Sequence, residues 1–66
     1  MTNFVKRLKQ LRKETGMSMR EFAESINMGM WKYAQYEKGA NKPSVELLKK
    51  LYITYEINVI EWILDI

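Results

Sequence analysis

The chain of 66 residues contains no cysteine and no histidine, and only one proline and three glycines. Without cysteine there is neither a disulfide to stabilise the fold nor a thiolate nucleophile. Without histidine, the side chain that most often moves protons near neutral pH is also missing. Three glycines form no glycine-rich phosphate loop, and the acidic residues do not cluster as metal ligands do. These absences predict a protein that is not an enzyme, binds no metal and takes no cofactor or small-molecule substrate.

Long hydrophobic runs are missing as well. No stretch of about 18 apolar residues exists to span a membrane, and charged residues follow soon after the first methionine where a secretory signal would be apolar. The expected protein is therefore soluble and cytoplasmic, with no membrane partner. A chain of this length forms one domain, residues 1–66, and buries about 60% of the surface that its unfolded form exposes. Its stability margin should be small.

Positive charge is present but unevenly distributed. All 11 lysines and arginines lie in residues 1–50, together with five acidic residues, which gives this part a net charge of +6. Residues 51–66 contain three acidic residues and no base, a net charge of −3. A basic body with an acidic, apolar tail favours a polyanionic partner for the first part and a different role for the second.

The first two helices are predicted from apolar spacing and from capping residues. Residues 3–14 form an amphipathic helix that ends before Gly16, a residue free to adopt a left-handed backbone. Its apolar side comprises Phe4, Leu8 and Leu11. Ser18 and Glu21 match a capping box that begins the second helix, and Asn27 ends it because asparagine tolerates positive φ. The inward residues of the second helix should be Phe22, Ala23 and Ile26.

Three further helices follow, joined by short loops. Gly29 is a tolerable N-cap for a third helix that ends near Glu37, before Gly39. Ser44 caps a fourth helix and Asn58 begins a short fifth. The fourth helix should direct Leu48, Leu51, Tyr52 and Tyr55 to the core. The fifth should direct Val59, Trp62 and Ile63 there, leaving Ile60 and Ile66 exposed. The sequence therefore predicts a compact all-α domain of four or five helices without a strand.

The second and third helices are separated by a turn of about three residues, which is the spacing of a DNA-binding helix-turn-helix. The stretch GMSMREFAESINMGMWKYAQYEKGANKPS, residues 16–44, adds an ordered set of residue types. Its motif positions are Gly16, Ser18, Phe22, Ala23, Met28, Tyr33, Tyr36, Glu37, Lys38, Gly39, Asn41, Pro43 and Ser44. Together they resemble the Cro/repressor family, also called the xenobiotic-response-element type. The resemblance covers residues 7–63 and implies a lambda-repressor-like domain whose helix-turn-helix occupies about residues 18–37.

This resemblance implies a function. Its members are sequence-specific regulators of transcription that bind double-stranded DNA, and small phage or plasmid Cro-like repressors and restriction-modification controllers are the types most similar to this chain. The implied mode of action is occupancy of an operator by a homodimer, with no cofactor. The base-facing residues would be Met30, Trp31, Lys32 and Gln35. The phosphate-contacting residues would be Arg20, Lys38, Asn41 and Lys42.

The resemblance also implies two structural contacts. Arg12 at the end of the first helix and Glu37 at the end of the third occupy the positions of a partly buried ion pair. The segment 57–66 would form the dimer interface. This agrees with its excess of apolar residues, which one helix face cannot hide. The interface residues would be Val59, Ile60, Ile63 and Ile66.

Three residues depart from the family pattern. Met19 stands where the family usually has a glutamine that contacts a phosphate, and Met30 and Trp31 replace polar residues that contact base edges. The pair cannot make the bidentate contacts of glutamine or arginine, but it can contact thymine methyl groups. Burial against a protein partner and packing against the domain's own loops are two further interpretations. A protein partner would make the domain a scaffold, as in an anti-repressor or an assembly factor.

Overall fold

Five helices build the part of the chain that the structure, a computed structural model, describes, which is residues 3–65. They are α1 Asn3–Thr15, α2 Met19–Ser25, α3 Met30–Lys38, α4 Val45–Tyr55 and α5 Val59–Leu64. Residues 3–65 contain no strand, so the all-α prediction is confirmed. None of these helices combines the length and the apolar character that a membrane crossing needs.

The helices begin at the predicted capping residues. The backbone N–H of Glu21 donates to the Ser18 hydroxyl, and the backbone N–H of Ser18 donates to the Glu21 carboxylate, which completes the capping box. Ser44 accepts from the N–H three residues later in α4, and Asn58 does the same in α5. Each side chain satisfies one backbone donor that a helix leaves free at its start.

The helix ends depend on residues with a left-handed backbone. Gly16 follows α1 at a φ of 73°, and Gly39 follows α3 at 78°. Asn27 has a φ of 54° between α2 and α3, as predicted. Glu56 adopts a φ of 53° at the end of α4, where the sequence carries no glycine or asparagine to indicate a stop. The left-handed backbone at each of these residues changes the chain direction within one residue, so the loops between the helices are short.

One hydrophobic core joins all five helices. The largest fully buried side chains are Tyr33, Phe4, Phe22, Leu8, Leu47 and Leu51. Trp62 fixes α5 to α1 because its ring packs edge-on against Phe4, with a centroid distance of 5.4 Å. Tyr55 at the end of α4 stacks on Phe22 of α2 at 5.0 Å. These two ring contacts connect α5 to α1 and α4 to α2.

Two residues that were predicted to face the core are exposed instead. Tyr52 is 56% exposed, although Leu48 one turn earlier is buried, because Tyr52 lies at the open groove between α4 and α5. Ile63 is 50% exposed, because Trp62 fills the space under the short helix α5. Both side chains therefore belong to the surface, and the predicted interface residue Ile66 lies outside the described residues.

Candidate nucleic-acid interface

The central unit consists of α2, α3 and the turn formed by residues 26–29. Ala23 is fully buried, and its carbonyl accepts a hydrogen bond of 2.9 Å from the backbone N–H of Met28, so the turn folds back tightly on α2. Phe22 packs against Tyr33 of α3, with ring centroids 5.2 Å apart. A larger residue at Ala23 would separate the turn from the helix. The two helices are thus held as one rigid unit.

Helix α3 has one buried and one exposed side. The buried residues are Tyr33, Ala34, Tyr36 and Glu37. Of the predicted base-facing residues, Trp31 is 74% exposed and Met30 is 40% exposed. Lys32 is also exposed, whereas Gln35 is half-buried. The exposure of Trp31 disfavours the interpretation in which this side chain packs against loops of the described residues, while Met30 is partly covered.

Arg12 and Glu37 meet beneath α3. Arg12 Nε lies 2.7 Å from Glu37 Oε2, and its Nη2 donates to the other carboxylate oxygen at 3.3 Å. The hydroxyl of Tyr33 donates to the same carboxylate. The hydrogen bond from Arg12 to Glu37 and the charge of Glu37 raise the pKa of Arg12. Burial of Tyr33, followed by its hydrogen bond to Glu37, raises the pKa of Tyr33. Both groups therefore stay protonated as donors, and the position of α3 is tied to α1.

A second polar connection links α3 to α4 on the surface. Lys32 Nζ lies 3.8 Å from Glu46 Oε1, and Lys50 Nζ lies 3.7 Å from the same oxygen. Lys50 also donates to the backbone carbonyl of Asn27 at 2.8 Å, at the end of α2. We call these contacts the Glu46 bridge. Sequence analysis missed it, and the Glu46–Lys50 spacing of four residues was the only local signal.

The predicted phosphate-contacting side chains are all exposed. They are Arg20 in the first turn of α2, Lys38 at the end of α3, and Asn41 and Lys42 in the following loop. None of the three basic residues forms an ion pair within residues 3–65. The loop is fixed to α3, because the N–H groups of Ala40 and Asn41 donate to the Gln35 carbonyl. The cation on this fixed loop, Lys42, is therefore suited to contact a polyanion, together with Arg20 on α2 and Lys38 on α3.

An apolar groove lies between α4 and α5. Its volume is about 250 Å³, and its walls are Val45, Leu48, Lys49, Tyr52, Val59 and Ile63. Two of the predicted interface residues, Val59 and Ile63, line it, while Ile60 is 71% exposed beside it. Sequence analysis missed the contribution of α4, because Tyr52 was assigned to the core.

Comparisons with known proteins are consistent with this arrangement. A family model described as helix-turn-helix matches residues 8–62. The transcriptional repressor RstR of the cryptic phage CTXphi, from Vibrio cholerae, is 32% identical over 62 residues, which is 94% of this chain and 56% of that repressor. The chain thus spans about half the length of this curated relative. No solved structure gives a significant match.

Proposed function

Because this chain belongs to the Cro/repressor-type helix-turn-helix family, we propose that it regulates transcription by binding an operator in double-stranded DNA as a homodimer. The repressor activity named for its Vibrio cholerae relative supports this proposal. Regulation by occupancy needs no cofactor and no chemical step.

The exposed side of α3 is the observation that carries the proposal. The helix is short, its opposite side is buried, and Arg12 holds its last turn through Glu37. The major groove of DNA admits an α-helix, and the helix-turn-helix inserts its second helix there. We therefore take α3 as the recognition helix. Its base-facing residues in this proposal are Met30, Trp31, Lys32 and Gln35.

Phosphate contacts would set the position of the recognition helix. The proposed contacts come from Arg20, Lys38, Asn41 and Lys42, all of them exposed. Such contacts fix the orientation of a protein on the duplex but carry little sequence information. Sequence preference would then come from the side chains on α3.

A homodimer is supported by the groove between α4 and α5. Tyr52 and Ile63 leave apolar surface at this groove, and Ile60 and Leu64 add exposed apolar side chains on α5. Lys49 lines the same groove, while residues 51–66 are acidic, so a second copy placed there would bring opposite charges together. To read two half-sites one turn of DNA apart, the two copies would need their recognition helices about 34 Å apart.

Selection of bound duplexes from a random pool, followed by titration at two salt concentrations, tests the DNA proposal. A palindromic winner whose affinity falls steeply with salt is expected, because neutralised phosphates release counterions. Lys42→Gln should weaken binding to all sequences and lower the salt slope by about one. Lys13→Gln, which removes an exposed lysine on α1, is the matched control and should leave the slope unchanged.

A second candidate function is favoured by the exposure of Trp31. Large exposed aromatic side chains anchor many protein interfaces, and Met19 lacks the amide that would contact a phosphate. In this candidate, α3 binds a protein partner as an anti-repressor or an assembly factor does. Absent DNA binding, or binding that salt does not weaken, would favour this second function over the first.

A further inference from the structure

The leading edge of the recognition helix is apolar. Residues 28–31 read Met-Gly-Met-Trp, and their side chains carry one strong hydrogen-bonding group, the indole N–H of Trp31. Met28 is buried, so Met30 and Trp31 form the exposed part of this edge. Most of the surface offered to a ligand here is thioether and aromatic ring.

One charged side chain, that of Lys32, lies in the first turn of α3 beside this edge. The first turn of α3 contains no acidic residue, and its N-cap Gly29 has no side chain. The nearest basic side chain in the helix, Lys32, has its ammonium group 3.8 Å from Glu46 on α4. The Met30–Trp31 pair can therefore be covered by a ligand without removing water from a charge of its own.

Base edges in the major groove offer one apolar group that matches this surface. It is the methyl group on C5 of thymine, which stands where cytosine has only a hydrogen, whereas the nitrogen and oxygen groups of the edges donate or accept hydrogen bonds. A methylated cytosine carries the same methyl group at the same ring position. The match concerns the methyl group and leaves the rest of the base unread.

We propose that Met30 and Trp31 recognise the C5-methyl group of pyrimidines, so that the protein prefers thymine to uracil and 5-methylcytosine to cytosine at the positions these side chains cover. The inference rests on the proposed function as a DNA-binding regulator and names the group in the DNA that sets its specificity. It also implies regulation, because cytosine methylation at such a position would strengthen binding.

The expected size of the preference follows from burial of one methyl group. Each methyl buried against the pair should change the dissociation constant about fourfold, the equivalent of about 0.8 kcal/mol. A homodimer that reads one methyl in each half-site should show the square of this ratio, about fifteenfold.

The test uses two pairs of bases that differ only in the methyl group. In the duplex selected from a random pool, each thymine is replaced in turn by deoxyuridine, which pairs identically with adenine. At each sensitive position, cytosine and 5-methylcytosine, both paired with guanine, are then compared. Both ratios should be about fourfold at the same positions, and both should fall to one in Met30→Ala or Trp31→Ala.

Matched variants separate methyl recognition from other effects. Trp31→Phe and Met30→Leu keep an apolar side chain and should keep most of the preference. Ile53→Ala removes an exposed apolar side chain from α4 and should leave both ratios unchanged. Circular dichroism melting of each variant establishes that it is folded, as expected for truncation of exposed side chains.

The outcomes distinguish this inference from the function on which it rests. Salt-sensitive binding with both ratios near one overturns methyl recognition and leaves the DNA-binding proposal standing. Ratios that persist in Met30→Ala and Trp31→Ala also overturn it, because another residue then reads the methyl group. If no duplex binds, the proposed function fails, and methyl recognition fails with it.

Discussion

Arg12 and Glu37 connect the end of the first helix to the end of the third through a contact of 2.7 Å. The Glu37 side chain is only 6% exposed, and its carboxylate accepts from Arg12 and from the hydroxyl of Tyr33. A carboxylate at the end of a helix is unfavourable for the helix dipole. Its stabilising effect comes from tertiary structure, because it holds α3 against α1.

Arg12→Met should strongly destabilise the fold. It leaves a buried carboxylate without its counter-charge, and we expect the free energy of unfolding to fall by about 3 kcal/mol. Urea unfolding at neutral pH measures the loss. Addition of Glu37→Gln should recover part of it, since the stranded charge is then removed.

Arg7→Met is the matched control for this experiment. Arg7 pairs with Asp65, but the two side chains are 37% and 23% exposed. A pair that is this accessible to water should contribute about 1 kcal/mol or less. Equal losses for Arg7→Met and Arg12→Met would contradict the role assigned to burial of Glu37.

The capping box of α2 predicts a pH dependence. The pKa of Glu21 lies below its ordinary value. The larger cause is the hydrogen bond from the backbone N–H of Ser18, and the smaller is the hydrogen bond with the Ser18 side chain. The contribution of this group to stability is therefore complete above its unfolded pKa and is lost as the pH falls through its folded pKa. Glu21→Gln keeps an acceptor for the Ser18 N–H but does not titrate.

Comparison of the two proteins isolates this effect. The stability difference between the native protein and Glu21→Gln should be constant above about pH 6 and should shrink as the pH is lowered towards about 3. Urea unfolding across this pH range measures it. A difference that does not vary with pH would show that the charge of Glu21 adds nothing to the cap.

The helix boundaries could be predicted because they depend on neighbouring residues. Ser18, Ser44 and Asn58 each accept from an N–H three residues away, and Asn27 needs only its own tolerance of positive φ. These are local properties, so the sequence displays them. The stop at Glu56 carries no such signal, and its left-handed backbone became apparent only in the structure.

Contacts between distant residues were harder to predict. Tyr52 was wrongly assigned to the core. The buried side of α4 is set by how the other helices pack against it, and the sequence of α4 alone does not reveal this. Lys32 and Glu46 lie on different helices and were not predicted to meet. The pair of Arg12 and Glu37 was expected only through the family resemblance. The proposed contacts with bases and phosphates stay predictions.

Glu46→Gln should release Lys32 towards DNA. Without the carboxylate, the lysine ammonium loses its 3.8 Å partner, and its full charge is then available to the DNA. We expect tighter binding to mixed-sequence duplex DNA and a salt slope that is steeper by up to about 0.9. Fluorescence anisotropy titrations over a series of salt concentrations measure both quantities.

Glu14→Gln provides the matched control for charge. It removes the same charge from an exposed position on α1, where Glu14 forms no ion pair within the described residues. Its salt slope should stay that of the native protein. If both variants steepen the slope equally, net charge rather than the Glu46 bridge is responsible.

Ile63→Asp should separate association from folding. The side chain lines the groove between α4 and α5 and is 50% exposed, so a carboxylate there stays hydrated in the single copy but would be buried between two copies. We expect loss of the homodimer in analytical ultracentrifugation and weaker binding to a palindromic duplex. Ile53→Asp, which changes an exposed residue outside the groove lining, should leave association intact. Unchanged association of Ile63→Asp would place the interface elsewhere.

Helix α4 carries the groove on one flank and the Glu46 bridge on the other. A second copy that displaced α4 on binding to the groove would also move the Glu46 carboxylate, which lies next to Lys32. Affinity between copies and affinity for the duplex would then be thermodynamically coupled, and each would change the other by the same factor. The contact of 3.8 Å between Lys32 and Glu46 would in this way link association of the protein to its occupancy of DNA.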